Sequence, residues 1–214
     1  KPFFSELSPQ SRQWCAMVTR IDAHFGNSLN ALEDPNEDGD KSDSVVQNTL
    51  VVFQSDNGGP GGKNREELNA NGGLLGSKGS IYEGGIRVPT IMRWPKKITQ
   101  KSKLKKGTST DLVIDCSDLL PTFCELAGAP IPLGVSGVSL APTLTGSGEQ
   151  KVRDFLVHET NGQASIISGR YKFIRPKQVP DDSAKKKRPQ KVKDGKNPNL
   201  FHLYDLQADL GEST

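Results

Sequence analysis

Cysteine is scarce: Cys15, Cys116 and Cys124 are the only three in 214 residues. An odd number without a C-x-x-C pair supplies neither a disulfide framework nor a thiolate metal site of that spacing. No run of residues approaches the roughly 18 apolar positions of a membrane-spanning helix, and Lys1-Pro2-Phe3-Phe4 is too short for a signal sequence. Aromatic residues make up 6% of the chain. None falls among Lys185, Lys186, Lys187, Arg188, Lys191, Lys193 and Lys196, so that basic stretch lacks the stacking platforms of a nucleic-acid groove. The net charge of +3 is concentrated there, the rest being near neutral, and nothing calls for a nucleic-acid partner. The strings "NGGPGGKN" and "GGLLGSKG" lack P-loop spacing. The chain has no initiator methionine and reads as an excerpt.

What is present suits one domain, or one and a half, at about 100 to 200 residues each. Ser8 followed by Pro9 is a helix start, a capping hydroxyl with proline at the first helical position. Trp14, Met17, Val18, Ile21, Phe25, Leu29 and Leu32 then recur at spacings of three and four, an apolar stripe expected to pack on a sheet. Residues 49–53 ("TLVVF") and 88–94 ("VPTIMRW") read as short buried strands, the second following a Gly- and Asn-rich loop over 60–80. Ser117 is expected to cap a helix through "DLLPTFCELA" that Gly128 ends in a left-handed conformation. From about Asp154, "FLVHE", "ASIIS", "YKFIR" and "FHLYDL" predict an antiparallel sheet, with 177–199 a solvated Lys-rich loop between two strands.

The stretch "SDNGG" (55–59) at the carboxyl end of the first strand carries the most chemistry. Asp56 and Asn57 offer hard oxygen donors, and Gly58 and Gly59 let the backbone turn away without a Cβ clash, where such sheets place their ligands. By itself the stretch fits an ordinary Asx turn as well. "DPNEDGDKSDSV" sets Asp34, Asn36, Asp38, Gly39 and Asp40 at EF-hand positions, but Val45 stands where the bidentate glutamate belongs. It reads as a hydrophilic insertion. His24, inside the first helix, reads as a surface residue.

Four blocks, "NTLVVFQSDNGG", "LLGSKGSIYEGGIRVPTIMRWP", "DLLPTFCELAGAPIP" and "LYDLQADLGEST", resemble in order and spacing the carboxyl-terminal half of the type I sulfatases. The segment "MVTRIDAHFGNSLNAL" is similar to the helix before the metal strand of that family. The resemblance implies an α/β fold: residues 1–150 form part of an alkaline-phosphatase-like sandwich around a mixed sheet, and 151–214 form a small antiparallel subdomain. It implies that Asp56 and Asn57 ligate calcium, or magnesium, and that Lys78 contacts the sulfate. There an ammonium would oppose negative charge growing on oxygen as the S–O bond breaks. His158 in "FLVHET" corresponds to a position near the substrate rim. Glu83, Gly84, Gly85 and Arg87 read as scaffold, the glycines allowing a tight turn and Arg87 pairing a buried carboxylate.

The resemblance also implies a formylglycine nucleophile made from cysteine or serine within C-x-P-x-R or S-x-P-x-R. Neither motif occurs, and "SPQSR" has its letters in the wrong order. The nucleophile and the remaining metal ligands are therefore expected upstream of Lys1, and the chain alone is expected to lack turnover. The implied substrate is a sulfated small molecule or carbohydrate, in a periplasmic, secreted or lysosomal setting. Two alternatives stay open. A phosphoryl-transfer relative of the same superfamily would share the Asp-Asn pair and differ in its nucleophile. A non-catalytic binding module would fit a chain complete as it stands.

Overall fold

Ser8 and Pro9 open the longest element as expected. In the computed structural model, which describes residues 4–98, 107, 109–176 and 200–213, α1 spans Pro9–Glu33. The Ser8 hydroxyl accepts the Ser11 N–H at 3.3 Å, the N-cap bond. The order continues β1 (Val51–Gln54), α2 (Lys63–Leu68), α3 (Glu83–Ile86), β2 (Thr90–Arg93), α4 (Leu119–Ala127), α5 (Ala141–Thr145), β3 (Leu156–Thr160), β4 (Gln163–Ser168), β5 (Tyr171–Arg175) and β6 (His202–Asp205). The fold is α/β: β1 and β2 form one sheet, and β3-β4-β5-β6 form a second in chain order. The Lys-rich stretch 177–199 lies outside the described residues.

The chain divides into two compact units. One comprises Lys1–Thr19, Gln54–Thr90 and Asp154–Thr214; the other comprises Arg20–Phe53 and Ile91–Arg153. In the first, the meander pairs Val157 with Ile166, Ile166 with Phe173, and Phe173 with Leu203. Its inner face presents Leu156, Ile167, Ile174 and Tyr204. Ile81 and Tyr82, just before α3, join Ile174 and Tyr204 in the core, flanked by Leu75 and Leu206. The loop expected over 60–80 contains α2, which sequence reading passed over. Its support is tertiary: Asn64 Oδ1 accepts the Ser11 hydroxyl at 3.1 Å, and Glu67 Oε2 accepts the Ser8 hydroxyl at 2.8 Å. The Ser11 side chain, followed by the Ser8 amide and hydroxyl, holds the Glu67 carboxyl below its usual range.

Three expectations are corrected, for α1, for β1 and for the cap before α4. The apolar stripe of α1 is only partly covered: Phe25 meets Phe53 of β1 edge-on at 5.2 Å. Met17, Val18 and Ile21, farther back along the stripe, remain about half exposed. A 25-residue helix is about 37 Å long at 1.5 Å per residue, whereas a four-residue strand such as β1 covers about 13 Å. Nor is β1 sealed on both faces, all four of its residues being half-buried. The cap before α4 is Asp115, not Ser117. Asp115 accepts the Ser117 N–H at 2.9 Å and donates its own N–H to Asp118 at 2.8 Å, a capping box across a 3-10 turn. A carboxylate two residues earlier reaches the free amides better than the Ser117 hydroxyl. Gly128 ends α4 at φ 67° as expected. Buried Asp118 also accepts the Val138 N–H at 2.7 Å and pairs with Arg153, binding the chain around α5 to α4.

Candidate functional site

The loop 55–59 leaves β1 and closes on α3 through glycine contacts. The Gly58 N–H donates to Gly85 O at 2.9 Å. A Cβ at Gly58 would lie 1.9 Å from Gly84 O, and one at Gly59 would lie 2.5 Å from Asn71 Oδ1. Only hydrogen fits at Gly58, where the facing atoms are backbone, whereas at Gly59 the Asn71 side chain would have to shift. Gly58 thus brings the preceding Asp56 and Asn57 to the open side of the turn. Asp56 is exposed and Asn57 half-buried. The Asn57 amide nitrogen donates to Gly58 O at 3.1 Å, which leaves Oδ1 as the hard donor. The Asp56 carboxylate forms no bond to a described residue.

Lys78 sits on a second loop against the same turn. Its N–H donates to Gly59 O at 2.9 Å, joining the two loops directly. Gly84 N–H donates to Leu75 O at 2.6 Å, and Asn71 Nδ2 donates to Gly76 O at 2.8 Å. A Cβ at Gly84 would meet the carbonyls of Leu74, Leu75 and Gly76 at 2.5 to 2.9 Å, and one at Gly85 would meet Ser80 O at 2.2 Å. The backbone of 55–59, the backbone of 74–80 and α3 are therefore in contact with no side chain between them. Lys78 is exposed.

His158 is placed differently. It stands half-buried on β3, paired with Ser165 in the sheet and not within the loop cluster. The hairpin after it does return to the cluster, Asn161 Nδ2 donating to Gly79 O at 3.2 Å beside Lys78. His24 is exposed on α1. Asp34–Asp40 folds on itself, Asp34 accepting the Gly39 N–H at 2.9 Å and Asp38 the Asp40 N–H at 2.7 Å.

The donor set fits a hard cation in kind: one carboxylate and one amide oxygen, side by side on a rigid turn, suit calcium or magnesium. It does not complete one. Among the described residues no group of three or more His, Cys, Asp or Glu could hold a metal ion, and a six- to eight-oxygen shell needs further ligands.

The scaffold residues hold more than the sequence suggested. Glu83, 3% exposed, pairs with Arg87 at 3.3 Å, the carboxylate expected for that arginine. It also pairs with buried Lys172 at 2.9 Å, which in turn pairs with buried Glu212 at 2.8 Å. Burial pushes the Glu212 carboxyl up, against the pull of Lys172. Burial, with Tyr82 and Glu212 nearby, pushes the Tyr204 hydroxyl up as well. Sequence reading missed Lys172, Glu212 and Asn161. The "GE" closing "LYDLQADLGE" was the one available signal, and it has no meaning without Glu83 and Lys172 beside it.

Comparison with known proteins gives a consistent result. The family model described as Sulfatase matches residues 10–129, and that described as N-sulphoglucosamine sulphohydrolase, C-terminal, matches 75–214. A sulfatase of Formosa agariphila is 36% identical over 216 residues, covering 97% of this chain and 36% of the relative. Human arylsulfatase A is 30% identical over 206 residues, 92% of this chain and 37% of the relative. A solved Bacteroides thetaiotaomicron structure, described under the metabolism of multiple glycosaminoglycans, superposes with a TM-score of 0.62 at 27% identity, covering 91% of this chain and 38% of that one. The chain thus spans little more than a third of the length of these relatives.

Proposed function

The chain belongs to the sulfatase family, and from that premise we propose that the intact protein hydrolyses sulfate monoesters. The observation that carries the reading is the direct bond between the two loops, Lys78 N–H to Gly59 O at 2.9 Å. It joins the loop of an exposed ammonium-bearing residue to the turn that carries an Asp-Asn oxygen pair. Residues 1–150 contribute to the α/β part and 151–214 to the antiparallel part. A bound calcium or magnesium ion would supply positive charge at the sulfate oxygens.

This chain's own residues do the rest of their share by position. Asp56 Oδ and Asn57 Oδ1 would hold the cation, their backbone fixed by Gly58 and Gly59. Lys78 would place a compact, mobile positive charge against the sulfate oxygens, whose negative charge grows as the ester S–O bond lengthens. His158 would lie at the rim, reached through the β3–β4 hairpin and its Asn161 contact to Gly79. The nucleophile, a formylglycine by family resemblance, would come from residues outside this sequence. The names of the relatives favour an aryl or sugar sulfate as substrate.

The test is steady-state kinetics of the intact protein on a panel of aryl and sugar sulfates. Lys78→Ala should lower kcat/KM by about 10²- to 10³-fold across esters that share a leaving-group type, the range for removing one electrostatic donor. Lys78→Arg should rescue it incompletely, because a planar guanidinium does not reproduce a point charge. Loss confined to one ester would make Lys78 a specificity residue. Turnover of phosphate monoesters in preference to sulfates would overturn the reading.

A further inference from the structure

Beneath the two loops a lysine with no exposure stands between two carboxylates inside an apolar core. Lys172 Nζ lies 2.9 Å from Glu83 Oε1 and 2.8 Å from Glu212 Oε1, the three side chains being 0%, 3% and 0% exposed. Ile81, Tyr82, Ile174 and Tyr204 form the surrounding core. Such triads can often be replaced by apolar side chains without loss of stability, so stability alone does not explain this one. The backbone supplies a second sign. Glu212 adopts φ 54°, a left-handed conformation that a glutamate keeps only where its surroundings over-determine it. In that conformation its Oε2 accepts the Glu83 N–H at 2.7 Å. Glu83 is therefore gripped at its side chain by Lys172 and at its amide by Glu212.

The two residues after Glu83 are the glycines on which both loops rest. Gly84 takes the Lys78 loop through its N–H to Leu75 O at 2.6 Å, and Gly85 takes the Asp56 loop through its carbonyl to Gly58 N–H at 2.9 Å. A Cβ at Gly58, Gly84 or Gly85 would come within 1.9 to 2.5 Å of a facing carbonyl oxygen. With no slack in these contacts, a shift of Glu83 passes to both loops. We propose that Lys172 and Glu212 are positioning residues that set the register of the Asp56–Asn57 loop against the Lys78 loop, acting through Glu83 and its two glycines. This rests on the reading of those loops as the cation and sulfate site.

The test uses the intact protein with Glu212 changed three ways, read by amide hydrogen exchange and by calorimetric calcium titration. Glu212→Ala removes the acceptor that grips the Glu83 amide and leaves Lys172 paired with Glu83 alone. It should speed exchange at Gly58, Lys78 and Gly84 by about tenfold or more, leave the β4 amides unchanged, and weaken calcium binding about 10-fold or more, as loss of a residue supporting a ligand does. Glu212→Gln keeps the acceptor for the Glu83 amide and should bind calcium within about threefold of wild type. Glu212→Asp keeps the charge but not the reach, and should fall between. If the alanine variant does not fold, the aspartate variant gives the same comparison at smaller amplitude. Faster exchange spread evenly over β4 and the loops, or unchanged calcium affinity in both the alanine and aspartate variants, would overturn the proposal. Asp56→Ala separates the two layers: calcium binding that survives it sinks the cation reading and this inference together. Binding lost in Asp56→Ala but intact in Glu212→Ala sinks the positioning role alone.

Discussion

Replacing Gly58 by alanine is the sharpest single perturbation of this molecule. Its added Cβ would lie 1.9 Å from Gly84 O, 2.7 Å from Gly84 C and 2.9 Å from the Gly85 Cα. All three are backbone atoms and cannot swing aside. Forcing an extra carbon into such a contact costs about 1–3 kcal/mol. Separating the turn also strains the buried Gly58 N–H to Gly85 O bond, and an orphaned buried amide costs about 1–3 kcal/mol more. The sum, roughly 2–6 kcal/mol, corresponds to a melting temperature lower by about 4–24 °C at 2–4 °C per kcal/mol for a chain of this size. Gly26→Ala is the matched control. A Cβ there meets nothing within 4 Å, and in the middle of α1 alanine should stabilise by about 0.5–1 kcal/mol. Differential scanning calorimetry of both variants, with calcium titration of Gly58→Ala, provides the measurement. A melting temperature for Gly58→Ala within about 2 °C of wild type, or equal losses in both variants, would refute the close-packing argument.

Asp56→Ala should abolish sulfate release by the intact protein while changing stability by no more than about 0.5 kcal/mol, since the side chain is exposed; wild-type turnover with unchanged calcium affinity would refute it. Arg153→Met leaves Asp118 buried without its cation and should destabilise by about 3–5 kcal/mol, visible in urea titration; a change below about 1 kcal/mol would show that the Asp115 and Val138 amides suffice. For pH, Glu212 is an acid whose folded value lies above its ordinary 4.5, so the folded state holds the proton more tightly. Its contribution to stability is full below about pH 4.5 and is lost as pH rises through the raised folded value. Lys172 and Glu83 face it directly, and Tyr204 lies close by. Stability of Glu212→Gln measured against pH should lack this fall, and parallel curves for variant and wild type would contradict the assignment.

Local chemistry made much of this fold legible in advance. Ser8 and Pro9 with a 3.6-residue stripe define α1 wherever it packs, because the cap and the periodicity belong to the helix itself. Gly128 ends α4 because it alone there takes a left-handed φ without cost. Four short alternating segments separated by Gly and Pro yield a meander, since each pairs with its neighbour. "SDNGG" after a strand marks a sharp turn bearing hard oxygen donors, and the ordered blocks around it identify the family.

Only the tertiary structure decided which faces turn inward and which loops meet. In "YKFIR" the hydropathy alternation does not orient the strand: Tyr171 and Phe173 are exposed while Lys172 is buried, because Glu83, 89 residues earlier in the chain, supplies the charge that makes its burial tolerable. Short helix α2 depends on Ser8 and Ser11, 59 and 53 residues away, and has no cap of its own to announce it. The contact of the 55–59 loop with the Lys78 loop depends on glycine-to-carbonyl contacts among three segments. Composition can permit such contacts by omitting a Cβ, but only the folded backbone brings them together.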